Sequence, residues 1–184
     1  ILHTLLDNEL KKVNYFSENE IDLIYNCKHQ FSGEFQNKNV VIIILESFSK
    51  EFVGYYNNGK GYTPFLDSLI PHSLVMENAY SNGIKSIEAL PAITASIPTL
   101  MNDPFITSSY ANNKYKSLAN ILKNEGYTSS FFHGGTRGTM GFYQFSKKSG
   151  FDSYFGIEEY GNMNDHDGSW GIYDEPFLKY FSEH

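Results

Sequence analysis

Cysteine is nearly missing from this chain: Cys27 is the only one, so no internal disulfide can form and packing and hydrogen bonds must hold the fold. Runs of Lys and Arg are missing too. With 14 basic against 21 acidic residues and a net charge of −7, the chain lacks the electrostatic footprint of a nucleic-acid binder, and no nucleic-acid partner is expected. No stretch reaches the roughly 18 consecutive apolar residues of a membrane span, and no signal-peptide pattern is present. Tryptophan occurs once, at Trp170, whereas 14 Tyr and 15 Phe raise the aromatic share to 16%. Rings at that density are most often core, with a sugar- or lipid-facing surface as the rarer use. The length of 184 residues suffices for one domain that buries about 70% of its unfolded surface.

What is present centres on residues 40–98. Val40-Val41-Ile42-Ile43-Ile44-Leu45 is an unbroken, β-branched run of the kind shown by a parallel strand buried on both faces. It stops at Glu46. Ligands of open α/β sheets bind beyond the carboxyl ends of the strands, so Glu46 stands where chemistry is expected; capping of the next segment is an equal reading. Leu74 to Tyr80 predicts another strand, leading into Ser81-Asn82-Gly83-Ile84-Lys85-Ser86. Leu90, Ile93 and Ile97 then recur at i, i+3 and i+7, which predicts a helix with Ser86 at its N-cap. A serine there has two jobs open to it. As a cap it accepts a backbone N–H, worth about 1 kcal/mol; as a nucleophile it faces a positive helix end that favours alkoxide and bound phosphate alike. Pro91 is awkward inside that helix and predicts a bend or a later start.

Upstream, Ser17 followed three residues later by Glu20 is a capping box that predicts a helix over about residues 18–28, in a segment with no visible chemistry. His3 and His29 are read as solvated. Downstream, Gly54 to Gly61 is turn chemistry, and Thr63-Pro64 opens a helix that buries Phe65, Leu66 and Leu69. Leu118, Ile121 and Leu122, closed by Gly126, predict a helix over 114–125, with a strand from Tyr127 to Phe132 after it. That strand ends in His133-Gly134-Gly135, on the edge that also carries Glu46. From spacing alone a histidine there is more often structural than functional. Arg137 either binds an anionic substrate by a bidentate contact or is simply solvated. Phe142 to Lys148 predicts a helix ended by Gly150, and Phe151 to Phe155 a short edge strand. Asp165, His166 and Asp167 are metal-capable, but an acidic surface loop is the stronger reading, because adjacent residues rarely converge on one ion. Trp170 is a candidate to line a substrate pocket, and Asp174-Glu175-Pro176 places acid and proline in a helix's first turn.

Four stretches taken in order, Val41 to Phe48, Ser81 to Ile93, Ser130 to Gly135 and Asp167 to Glu175, resemble the lipoteichoic acid synthase-like sulfatase family of the alkaline phosphatase superfamily, over roughly residues 38–180. The resemblance implies an α/β fold: a mostly parallel sheet sandwiched by helices, incomplete at its C-terminal side. Residues 1–38 would be a helical linker and 39–184 the N-terminal portion of the catalytic domain. It implies a metal-dependent hydrolase or transferase acting on phosphate or sulfate esters of envelope lipid or glycan, in the manner of phosphoglycerol transferases and sulfatases.

By position in the motifs, Glu46 becomes a ligand of a divalent metal and Ser86 both nucleophile and metal ligand. Manganese is the usual ion, with Mg2+, Zn2+ and Ca2+ as alternatives. The chemistry agrees: a carboxylate oxygen suits a hard cation, and a cation beside a hydroxyl lowers its pKa and polarises the ester. The resemblance makes His133 a contact to substrate or its immediate surroundings. The family's remaining ligands, an Asp-His pair, lie beyond His184, so this length of chain is expected to be nearly inactive alone. Membrane spans upstream, and a catalytic domain on the periplasmic or extracellular face, are implied in the same way. Formylglycine chemistry is not, since neither Cys27-Lys28-His29 nor Ser86-Ile87-Glu88-Ala89-Leu90 fits the C/S-x-P-x-R motif. Lipoteichoic acid synthases carry a Trp-Asn-Arg stretch where this chain has Thr136 to Phe142, which leaves the identity of the ester open. A second reading, from a different class, is a non-catalytic α/β module that binds an anionic glycan or lipid head group through Arg137 and exposed aromatics.

Overall fold

The computed structural model describes residues 10, 12–26, 30 and 32–184, which divide into two compact units, Ile1–Glu77 and Asn78–His184. His3, Cys27 and His29 lie outside the described residues.

In the first unit the capping box forms as its spacing predicts. The Glu20 N–H donates to Ser17 Oγ at 3.4 Å and the Ser17 N–H donates to Glu20 Oε2 at 2.8 Å, opening helix α1, Glu18–Ile24. The helix ends where Tyr25 turns to extended backbone, and residues 27 and 28 of the expected helix lie outside the described residues. Helix α2, Pro64–Leu69, has Thr63 at its N-cap and Pro64 at its first position. Thr63 does not cap with its side chain; its Oγ1 accepts the N–H of Gly54 at 3.3 Å, while Asp67 Oδ1 accepts that of Tyr55 at 3.0 Å. Those two bonds tie the 3-10 turn Gly54–Asn57 to α2, beside buried Val53. Phe65, Leu66 and Leu69, expected to be buried, are all exposed, Phe65 to 76%.

The expected strand at 40–45 is a correction. Among the described residues this run pairs with no strand, and its side chains lie open to solvent. Residues 74–80 likewise form no strand but a turn at Glu77 and Asn78. A β-branched run states that a segment is suited to a ladder; the ladder itself needs a neighbour elsewhere in the chain.

The second unit contains the sheet. Strands β1, Ser130–Phe132, and β2, Ser153–Phe155, pair in parallel, with Phe131 opposite Tyr154. Helix α5, Phe142–Lys148, lies in their connection, giving the β-α-β order. Alternation along the strands sends the rings to opposite faces. Phe131 packs with Ile87, Leu90, Phe142 and Phe145 on one side. Phe132 packs with Ile157, Ile172 and Phe177 on the other. Helix α3, Ser86–Ala95, joins α5 on the first face; α6, Ile157–Tyr160, and α7, Asp174–Ser182, supply the second. Both faces of this small parallel sheet are therefore covered, as an α/β fold requires. Helix α4, Leu118–Lys123, opens on buried Ser117, whose Oγ donates to the carbonyl of Ser149 past the end of α5. Lys123 pairs with Asp152 at 2.5 Å, and this pair with the Ser129 N–H holds the Asp152 carboxyl down at about 2.

Candidate active site

Ser86 is the first residue of α3, and the N-cap is Lys85, so the expected capping role of Ser86 is corrected by one position. The buried face of α3 is also different in phase from the predicted stripe. Ile87, Leu90, Pro91 and Thr94 are buried at i, i+3, i+4 and i+7, while Ile93 is exposed and Ile97 lies beyond the helix. Pro91 sits inside the helix without ending it; it lacks only the N–H that would reach Ile87, and Thr94 Oγ1 donates to the Leu90 carbonyl at 2.7 Å. With Ile87 and Glu88 turned into the protein, the adjoining Ser86 is left exposed at the helix's positive end.

His133 follows β1 directly. Its N–H donates to the Phe155 carbonyl at 3.0 Å, which fixes the backbone at the strand's C-terminal end. The ring stands edge-on to Phe142, centroids 4.9 Å apart, and Phe142 shares a cluster with Ile87. One layer of packing thus links the histidine to the start of α3. The Gly135 N–H donates to His133 Nδ1 at 3.3 Å, and burial holds the imidazole below its ordinary value. Near neutral pH the ring is therefore uncharged, with its proton on Nε2 and available to donate.

The loop carrying Trp170 is laid against that same turn. Asp167 Oδ1 accepts the N–H groups of Ser169, Trp170 and Gly171, which bends the loop and keeps the Asp167 carboxyl below its ordinary value. The Ile157 N–H then donates to the Gly135 carbonyl at 3.1 Å, bringing the start of α6 to the same place. Trp170 itself is 73% exposed.

Arg137 fits neither of its two sequence readings alone. Its guanidinium is bonded to Glu159 and lies over the Tyr143 ring at 5.2 Å, while its backbone N–H donates to Glu158 Oε1 at 3.1 Å. Half of the side chain stays exposed, so a fork with five donors keeps an edge for an anion. Beneath it Tyr154 is buried with its hydroxyl lacking a hydrogen-bond partner, and burial pushes that phenol up to about 12.

The structure thus brings His133, Arg137 and the Trp170 loop together at the C-terminal end of β1. Glu46 is exposed in the first unit, where Ser47 Oγ donates to its Oε1 at 3.2 Å. Among the described residues no group of three or more His, Cys, Asp or Glu could hold a metal ion; Asp165 accepts the Tyr160 hydroxyl of α6, and His166 and Asp167 accept N–H groups of their own loop. Sequence reasoning missed Glu88, Glu159 and Tyr143. Glu88 had a signal: it stands three residues after the true N-cap, the spacing of a capping box, which was hidden by placing the cap at Ser86.

The model of the sulfatase family matches residues 38–184. Lipoteichoic acid synthase 2 of Bacillus subtilis is 28% identical over 154 residues, covering 81% of this chain and 23% of that protein. Lipoteichoic acid synthase 1 of the same organism is 31% identical over 157 residues, with 81% and 24% covered. The chain therefore spans about a quarter of the length of the curated relatives it matches. Among solved structures, an alkaline phosphatase superfamily protein from Vibrio parahaemolyticus superposes with a TM-score of 0.66 at 27% identity, covering 74% of this chain and 33% of that one. The lipoteichoic acid synthase LtaP from Listeria monocytogenes shares the fold, with a TM-score of 0.58 over 66% of this chain and 30% of that one, at 19% identity. No helix among the described residues is long and apolar enough to cross a membrane.

Proposed function

This chain belongs to the sulfatase family, and on that premise we propose that the complete protein transfers or hydrolyses phosphate or sulfate esters of the cell envelope through a covalent intermediate on Ser86. The observation that carries the reading is Ser86 itself, exposed in the first turn of a helix whose next two residues are buried. A helix start offers unpaired N–H groups and a positive end to a phosphoryl or sulfuryl oxygen, which is where a nucleophile for such esters belongs. Ser86 Oγ gives up its proton and bonds to phosphorus or sulfur; the bond to the ester oxygen breaks, and the leaving alcohol takes a proton. Water or an acceptor hydroxyl then removes the group and restores the serine.

The other residues have matching chemistry. Neutral His133 donates from Nε2 to an oxygen of the bound ester. Arg137 offers the anion the edge not held by Glu159, and Trp170 lines the approach beside it. Glu46 and Ser86 each present a hard oxygen donor of the kind that suits a divalent cation such as Mn2+. When bound, that ion would lower the pKa of the hydroxyl and polarise the ester. A membrane-anchored protein with this domain on the outer face of the cytoplasmic membrane suits such substrates.

The test is turnover of a generic phosphodiester and a generic sulfate ester by the full-length protein and its Ser86→Ala variant. Loss of turnover by at least about 10³-fold is expected, the scale on which removal of a nucleophile acts. Rates near those of the unaltered protein would sink the proposal and put the nucleophile elsewhere, whereas no turnover by the unaltered protein would favour a binding module for anionic head groups.

A further inference from the structure

We propose that Glu88 is the positioning residue of the nucleophile: it sets where Ser86 stands by holding the backbone that leads into it. The proposal rests on the reading of Ser86 as nucleophile.

Three observations meet at this carboxyl group. Glu88 Oε2 accepts the N–H of Ile84 at 2.8 Å and of Lys85 at 3.0 Å, while the Glu88 N–H donates to the Lys85 carbonyl at 3.0 Å. The residue is only 6% exposed, so water competes little for those bonds. Gly83 passes so close that an added Cβ would stand 2.6 Å from Glu88 Oε2 and 2.9 Å from Thr99 Oγ1, so the loop is fitted to this side chain.

Nothing apolar does the same work. Ile84 is 94% exposed and cannot anchor the loop by packing. Lys85, at the N-cap, makes no side-chain bond to the helix. Farther back, Asn82 Oδ1 accepts the Thr99 N–H at 2.5 Å and pins the far end of the approach. Between that pin and buried Ile87, the Glu88 carboxyl is the element that satisfies the orphan N–H groups and keeps the first turn wound. Frayed, that turn would carry Ser86 with it, since helix ends open at low cost and an error of about 1 Å in a reacting group costs about 10²-fold in rate.

The side-chain oxygen of Gln can accept both N–H groups, whereas Ala offers none and Asp is a methylene too short. In the full-length protein, Glu88→Ala and Glu88→Asp are therefore expected to lower kcat by about 10²-fold with KM changed no more than about threefold, and Glu88→Gln to stay within about threefold of the unaltered rate. Amide exchange at Ile84 and Lys85 is read in parallel. It is expected to accelerate by at least about tenfold in the Ala and Asp variants and not in the Gln variant. A role confined to stability would lower the melting midpoint while leaving kcat per folded molecule and the Gln rescue unmoved. Unaltered kcat in both Glu88→Ala and Glu88→Asp overturns the proposal, as does a Gln variant as slow as Ala with its amides still protected. Ser86→Ala separates the two readings: if it turns over normally the nucleophile is elsewhere, whereas a dead Ser86→Ala beside a fully active Glu88→Ala refutes only the positioning role.

Discussion

Ile172 donates its backbone N–H to the carbonyl of Gly134 at 2.9 Å, so the loop that carries Trp170 lies directly on the turn that follows His133. The contact is backbone to backbone. A Cβ added to Gly171 would press on the Gly134 carbonyl oxygen, with the carbonyl carbon at 2.8 Å and the Gly135 nitrogen at 3.2 Å. Neither partner is a side chain that can swing away.

Gly171→Ala is therefore expected to destabilise the protein by about 1–3 kcal/mol, the usual cost of forcing an atom into packed structure. Gly138→Ala is the control, because its new methyl would meet only Thr136 Oγ1 at an ordinary 3.7 Å. Thermal midpoints of the two variants, measured side by side, check this; equal midpoints would contradict the close approach.

Acid should weaken the fold through His133. Its pKa is lowered in the folded state by burial, so the folded protein resists the proton that the unfolded chain accepts below about pH 6.5. The stability it contributes is complete above that pH and is lost as the pH falls from the unfolded value toward the lowered one. Between about pH 7.5 and about pH 5.5 the melting midpoint should fall more in the unaltered protein than in His133→Asn. Parallel falls in the two would contradict a buried, neutral ring.

Arg137 should act on binding more than on the chemical step. Removing its charge with Arg137→Met is expected to raise KM for an anionic ester by about tenfold, the size of one lost hydrogen bond to a charged group, with kcat nearly unchanged. Steady-state kinetics on the full-length protein decide it. An unchanged KM would confine Arg137 to its contacts with Glu159 and Tyr143.

These expectations draw on a sequence that was readable in uneven measure. Helices α1, α4 and α5 and strands β1 and β2 follow from local signals: the Ser17 and Glu20 capping box, Gly126 after α4, and Gly150 after α5. The phase of α3 was less legible, because Pro91 and Thr94 bury like apolar residues without counting as such, which turned the predicted stripe toward Ile93. Val40 to Leu45 was legible as strand-forming, but pairing depends on a second segment that a one-dimensional pattern does not name. Of the candidate site, the place of His133 directly after a strand was legible, while its role came from the resemblance and not from the spacing. The partners of Arg137 were not, since Tyr143 and Glu159 come from other elements and meet it only in the fold.

Removing divalent metal should silence the full-length protein. Treatment with a chelator is expected to abolish ester turnover and added Mn2+ to restore it, whereas Glu46→Gln should need at least about tenfold more Mn2+ for half-restoration, as loss of a charged ligand would require. The 184-residue chain by itself should bind Mn2+ weakly by calorimetry, because among its described residues no group of three or more His, Cys, Asp or Glu could hold the ion. Sub-micromolar affinity in this chain would mean that its own residues complete the site.

A covalent bond to Ser86 is open to detection by mass spectrometry of the acid-quenched protein. Full-length protein caught during turnover of an activated phosphodiester should yield the peptide containing Ser86 heavier by the transferred phosphoryl group, with fragmentation placing the group on that serine and no adduct in Ser86→Ala. Steady turnover with an unmodified Ser86 peptide, or with the adduct on another residue, would rule out Ser86 as the nucleophile.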